Sequence, residues 1–293
     1  MKRLFLLSIS LLSACQNPEL TQLTTKDWVV DKTFTSGIEG PAVDKLGQLF
    51  AVNYKKQGTI GVVTSQNNTE LYLTLPGSSV GNGIRFDNKG NMYIADYVNH
   101  NIWQFNNTTK HLALFAHNSQ MNQPNDIAIM DSGVLFASDP NWSKSTGKLW
   151  RIDENGNTTL LEDNMGTTNG IEVSPDNKFL YVNESVQRTI WRYDLDKKGR
   201  ISNKQTFYQF DEYGLDGMRT DNQGNLYVAR YGAGKVAVLS PQGKLIKTIK
   251  LKGQHPTNVA FGGKDGKQVF VTMQKRGAIE TFNNNIPGRN YSK

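Results

Sequence analysis

Short apolar stretches alternate with polar residues along most of the chain, and six of them open alike. They read EGPAVD from Glu39, NGIRFD from Asn82, NDIAIM from Asn125, NGIEVS from Asn169, DGMRTD from Asp216 and NVAFGG from Asn258. Successive starts are 43, 43, 44, 47 and 42 residues apart. A fixed period near 40–45 residues with several strands per unit is the signature of a β-propeller, each repeat forming one four-stranded blade. One repeat shows the plan. Asn82-Gly83 opens an inner strand, Asp87-Asn88-Lys89-Gly90 supplies hairpin turn chemistry, and NMYIADY, NIWQFN and HLALFA follow with strand periodicity. The expected fold is therefore all-β: six blades of four antiparallel strands in one domain over residues 27–287, with a tail at 288–293. Asp27–Phe34 (DWVVDKTF) has strand character, precedes the first blade, and is expected to complete the last one beside GAIETF from Gly277. Trp103, Trp150 and Trp191 fall 21, 25 and 22 residues after their repeat's opening residue, which marks them as packing between blades.

The first residues lie outside this pattern. Lys2 and Arg3 precede the apolar run Leu4–Leu12, too short to span a bilayer stably. Residues 1–14 read as a signal peptide, and Leu12-Ser13-Ala14-Cys15 resembles a bacterial lipobox, making Cys15 the lipidated first residue of the mature chain. Residues 15–26 then form a polar tether. The expectation is a lipoprotein of the bacterial envelope facing the periplasm, with Gln16 favouring the outer membrane. Cys15 is the only cysteine, which excludes an internal disulfide.

Composition adds little. Apolar residues make up 37%, and 27 glycines complete an ordinary globular balance. The net charge is +7; without Lys2 and Arg3, 31 basic residues stand against 26 acidic ones. The lysines of KLIKTIKLK, from Lys244, read as an outer edge strand protected against aggregation. Nucleic-acid motifs are lacking, so nucleic acid is not an expected partner. Membrane contact is expected through the lipid anchor only, and the chain is expected to be monomeric.

Closing six blades into a ring brings the opening residues to one mouth of the central channel. Glu39, Asn82, Asn125, Asn169, Asp216 and Asn258 all carry side-chain oxygens, and two are carboxylates. Each Asn alone is as well explained as a turn-former. Glu39 and Asp216 are different, because two carboxylates beside an enclosed channel repel each other unless a cation or proton lies between them. Oxygen ligands point to a divalent metal: calcium first, magnesium or manganese next, zinc last, since no His or Cys set has ligand spacing. His255, three residues before Asn258, reads as a surface residue.

Taken together, these segments resemble the gluconolactonase/regucalcin-like family of six-bladed propellers from about Gly37 to Phe282. The resemblance is carried by EGPAVD, by PNDIAIMDSGVLFASDP from Pro124 to Pro140, and by TNGIEVSPDNKFLYVNES, LDGMRTDNQGNLYVAR and PTNVAFGGKDGKQVFVT. It implies Glu39, Asn169 and Asp216 as metal ligands, Asn125 as substrate-binding or shell-completing, and Asp216 as catalytic acid/base. The implied activity is metal-dependent hydrolysis of a lactone. Some sugar-lactone enzymes carry an arginine two residues before the third-blade Asn, where this chain has Gln123. Gln123, Asn82 and Trp142, in the mouth loop NWSKSTG, complete the candidate substrate contacts. Ester or organophosphate hydrolysis of the paraoxonase-like kind, and a non-enzymatic binding propeller, are the competing readings.

Overall fold

The computed structural model describes residues 24–289, so the expected signal peptide, Cys15 and most of the tether lie outside the described residues. Lys26, placed in the tether by sequence, opens the first strand, β1 (Lys26–Val29). Among the described residues the strands form six four-stranded sheets. Blade 1 holds β2 (Ala42–Val43), β3 (Leu49–Val52), β4 (Thr59–Ser65) and β5 (Asn68–Thr74). Blade 2 holds β6 (Gly81–Phe86), β7 (Met92–Asp96), β8 (Asn101–Asn106) and β9 (His111–His117). Blade 3 holds β10 (Ile127–Ile129), β11 (Leu135–Asn141), β12 (Thr146–Ile152) and β13 (Thr158–Met165). Blade 4 holds β14 (Thr168–Val173), β15 (Phe179–Glu184), β16 (Thr189–Leu195) and β17 (Ile201–Gln209). Blade 5 holds β18 (Met218–Thr220), β19 (Leu226–Arg230), β20 (Lys235–Leu239) and β21 (Leu245–Lys250). Blade 6 takes β22 (Pro256–Gly262), β23 (Gln268–Met273) and β24 (Ala278–Asn283) from the end of the chain and β1 from its start.

Local chemistry makes the hairpins. Asp87 Oδ1 accepts the amides of Lys89 and Asn91 at 2.9 and 2.8 Å, so one carboxylate folds the turn between β6 and β7. Asp44 and Asp221 repeat the device in blades 1 and 5. Packing does the rest. Six apolar clusters lie at the six interfaces between neighbouring blades. Trp103, Trp150 and Trp191 each pack in one of them, as their spacing predicts.

Ring closure follows the sequence expectation. β1 pairs antiparallel with β24, and the amides of Lys32 and Phe34 reach the carbonyls of Arg276 and Gly277. Gly277 has φ 59°, and a Cβ there would lie 2.2 Å from the Phe34 carbonyl oxygen, so glycine is required. Arg276 adds ion pairs to Asp27 at 2.9 Å and Glu280 at 2.8 Å. The lysine-rich β21 is the outermost strand of blade 5, as expected. Helical structure among the described residues is limited to two 3₁₀ turns, Trp142–Lys144 and Gln274–Arg276.

One boundary needs correction. Gly288 and Arg289, assigned by sequence to the tail, are tied beneath the channel at the end opposite the candidate mouth. Gly288 bridges to Asp221, and Arg289 donates to Glu172 Oε1 at 3.0 Å and to the carbonyl oxygens of Val173 and Ile129. A cavity of about 460 Å³ opens at this lower end, with Ala42, Phe86, Arg219, Phe261 and Gly288 in its wall.

Candidate functional site

The residue that opens each repeat lies at or just before the inner strand, where the chain enters the channel, and the second strand of its blade holds it there. The Glu39 carbonyl accepts the Val52 amide at 3.0 Å, the Asn125 amide reaches Ser138, and the Asp216 amide reaches Ala229. These bonds bring Glu39 and Asp216 together: the two carboxyl groups are close enough for Glu39 to raise Asp216, while Asn169 beside it favours its charged form. Glu39 is 7% exposed and Asn169 3%. The Oδ1 atoms of Asn169 and Asn125 are buried with no hydrogen-bond partner. Asn183, from β15, donates to the Asp216 carbonyl at 2.6 Å and fixes its backbone.

Burial, then the charge of Asp126, pushes the Glu39 carboxyl up to about 7, against the opposing Gly40 amide, Asn258 and Arg219. Asp216 is raised well above the ordinary range, first by burial and then by Glu39. Below them lies a second, fully buried layer. Arg85 donates to Asp126 Oδ1 at 3.0 Å and Arg219 to Asn258 Oδ1 at 3.1 Å, while Asn258 Nδ2 donates to Glu39 Oε2 at 3.1 Å and Asp126 Oδ2 at 3.2 Å. Burial and the nearby Arg85 lower Arg219 to about 10.

The sequence reading misplaces Asn258. It is not an opening residue of the ring but lies one position deeper, in register with Asp126. The Gly83 amide bonds the Asn125 carbonyl, and the Gly217 amide bonds the Thr257 carbonyl in the same way. Asp126 Oδ1 accepts the amide of Ile127 and Asn258 Oδ1 that of Val259, each at 2.9 Å. Thr257 therefore opens blade 6. Asp126, Arg85, Arg219 and Asn183 were all overlooked. The signal for the arginines was present, since NGIR and DGMR carry Arg at the same offset.

The candidate substrate residues are less closely gathered. The Asn82 side-chain amide donates to the Asn125 carbonyl at 3.0 Å, a bond between blades. The Gln123 amide donates to Asp139 Oδ1 at 2.6 Å, which fixes the loop that carries its side chain. Trp142 is 43% exposed on the rim, outside the ring of oxygens. His255 is half-buried and stacks edge-on against Tyr231, with centroids 4.9 Å apart.

Among the described residues no cluster of three or more His, Cys, Asp and Glu side chains is arranged to hold a metal. Two carboxylates completed by unpartnered amide oxygens nevertheless make an all-oxygen set that fits a hard divalent cation.

The model of the SMP-30/Gluconolactonase/LRE-like region matches residues 38–275. Among curated proteins, regucalcin of Sus scrofa is 33% identical over 135 residues, 45% of each chain. A pentonolactonase of Haloferax volcanii is 31% identical over 151 residues, 50% of this chain and 52% of that protein. A gluconolactonase of Zymomonas mobilis is 30% identical over 222 residues, 67% of this chain and 61% of that one. The chain thus spans about half the length of the first curated relatives it matches. Among solved structures, the calcium-binding protein regucalcin from Agrobacterium tumefaciens superposes with TM-score 0.78 at 22% identity, covering 90% of this chain and 95% of that one. A gluconolactonase from Xanthomonas campestris gives 0.77 at 17% identity, covering 92% and 91%. At these identities the superpositions establish the six-bladed fold.

Proposed function

Because this chain belongs to the SMP-30/gluconolactonase/LRE-like family, we propose that it is a divalent-cation-dependent lactonase working at the channel mouth. The observation that carries the reading is the meeting of Glu39 and Asp216, from blades 1 and 5, beside the unpartnered oxygens of Asn125 and Asn169. Glu39, Asn169 and Asp216 would hold the cation, calcium first, with Asn125 completing the shell or meeting substrate. The cation supplies Lewis-acid polarisation of the lactone carbonyl and stabilisation of its developing negative charge. Asp216 handles the proton. In the cation-free protein burial and Glu39 raise its carboxyl above the ordinary range; with the cation bound, its place among the mouth oxygens is what lets it take and return a proton. It takes a proton from the attacking water as the new carbon–oxygen bond forms, and returns it to the ring oxygen as the old bond breaks. The product is the open hydroxy acid. Neutral Gln123 on its fixed loop favours a lactone without acidic substituents over a sugar-acid lactone.

The test is a pH-stat panel of lactones differing in ring size and polarity, run with chelator and with added calcium, magnesium or manganese. Turnover is expected to vanish with chelator and return with a cation. Hydrolysis that survives both chelation and Asp216→Ala would overturn the reading. Placement in the bacterial envelope through a lipid on Cys15 is part of the same proposal, supported by the Leu12-Ser13-Ala14-Cys15 sequence. Labelled palmitate should enter the intact chain and not Cys15→Ser; equal labelling of both sinks that part.

A further inference from the structure

The buried layer under the mouth has a two-fold order that the six blades do not require. Arg85 in blade 2 donates to its own strand at Ile84 O, to Asp126 of blade 3, and to Ile171 O of blade 4. Arg219 in blade 5 donates to its own strand at Met218 O, to Asn258 of blade 6, and to Pro41 O of blade 1. A half-turn about the channel axis maps each bond of the first set onto one of the second. Asp126 and Asn258 are then a matched pair from opposite blades, meeting at 3.2 Å across the axis. Their Oδ1 atoms do the same work, each accepting from an arginine and from the next backbone amide.

They differ in the second terminal atom. Two aspartates here would set carboxylate oxygens against each other in a layer almost closed to solvent, where Asn258 is 0% and Asp126 1% exposed. An amide nitrogen in blade 6 instead carries two donors, and both are used, one on Asp126 Oδ2 and one on Glu39 Oε2. The Gly40 amide also donates to Glu39 Oε2. Both fixed donors therefore hold the same oxygen of Glu39. Space for the device comes from Gly217, where a Cβ would lie 1.8 Å from Asn258 Cγ. The half-turn maps Glu39 onto Asn169, so the asymmetric amide sits on the side that carries the carboxylate.

We propose that Asn258 is a positioning residue: anchored by Arg219 and Asp126, it holds Oε2 of Glu39 and leaves Oε1 presented to a cation in the mouth. The inference rests on the cation-dependent reading of the mouth. It is tested by calcium titration calorimetry on the full chain, for wild type and Asn258→Ser. Serine keeps a hydroxyl for the Val259 amide but is too short to reach Glu39. The calcium Kd is expected to rise at least about tenfold in Asn258→Ser, the usual cost of losing a partner that orients a ligand, with far-UV circular dichroism unchanged. Equal affinity in the two proteins overturns the positioning role and leaves the lactonase reading standing. Wild-type protein that binds none of calcium, magnesium or manganese overturns both. Should Asn258→Ser not fold, the wild-type crystal structure with calcium decides. Glu39 Oε2 should keep its bond to Asn258 while Oε1 faces the ion, and a Glu39 swung clear of Asn258 refutes the role.

Discussion

Glu39→Gln should stabilise the cation-free protein while abolishing its response to calcium. The Glu39 carboxyl rises from an ordinary value near 4.5 to about 7 through burial and the charge of Asp126. At about 1.36 kcal/mol per pH unit, keeping it ionised in the folded chain costs about 3 kcal/mol. The sign follows from the direction of the shift. A carboxyl raised on folding favours the native state while protonated, so this contribution is full below about pH 4.5 and lost as pH climbs through 7. Glutamine is isosteric, its oxygen accepts from the Gly40 amide and Asn258 as Glu39 Oε2 does, and its amide faces Asp216 without repulsion. In chelator at pH 8 the variant should melt several degrees above wild type, on the scale of about 2–4 °C per kcal/mol for a domain of this size. At pH 4 the two should coincide. Calcium should raise the melting temperature of wild type at pH 8 and leave the variant unmoved. Scanning calorimetry across pH 4–8.5, with and without calcium, reads all of this. A variant less stable than wild type at pH 8 in chelator, or a difference that does not change with pH, refutes the argument that burial and Asp126 oppose the charge of Glu39.

Asp216→Asn should lower kcat by about 100- to 10,000-fold on any lactone the wild type opens, the range for loss of a positioned acid or base, with circular dichroism unchanged. Gly217→Ala forces a Cβ to within 1.8 Å of Asn258 Cγ, so urea denaturation should show a loss of about 3 kcal/mol, with weakened cation binding. Asp27→Asn tests ring closure. Burial opposes ionisation of Asp27, but Arg276 and Lys252 overcome it and hold the carboxyl below its usual range. Its stabilisation is present above the ordinary carboxylate pKa and fades as pH falls through the lowered one, so the variant should lose about 1 kcal/mol or less at pH 7, a difference that shrinks steadily in acid.

The architecture was legible because a propeller writes its period into the chain. Strand starts, hairpin aspartates, the inter-blade tryptophans and closure by the segment after Lys26 all follow from local patterns repeated at one interval. The two carboxylates were legible because they stand out against the asparagines that open three of the other four blades, Asn82, Asn125 and Asn169. What lay below them was not, for a physical reason. The period says where each inner strand falls, but the layer beneath the mouth is built by side chains that reach between blades, from Arg85 to Asp126, from Arg219 to Asn258, and across the axis from Asn258 to Asp126. An error of a single position in blade 6, where Thr257 and not Asn258 opens the strand, hid the equivalence of Asn258 with Asp126. Arg289 belongs to no repeat, so nothing periodic announced that it would reach Glu172.

The charges in that channel bear directly on the proposed cation at the mouth. Three buried guanidiniums, Arg85, Arg219 and Arg289, stand against Asp126 and Glu172 in the layers below and against Glu39 and Asp216 at the mouth. Three positive charges face four negative ones if every carboxyl is ionised. In a channel largely screened from solvent, one excess negative charge is costly, and the cost shows at the two mouth carboxyls as a raised affinity for protons. On the proposed reading a divalent cation would relieve the same repulsion, so proton and cation would compete for one place. Six-fold repetition builds the channel. The two-fold ionic floor sets one carboxylate, Asp126, against Arg85 and Arg219, and the surplus of negative charge lies at Glu39 and Asp216, where the proposed chemistry is placed.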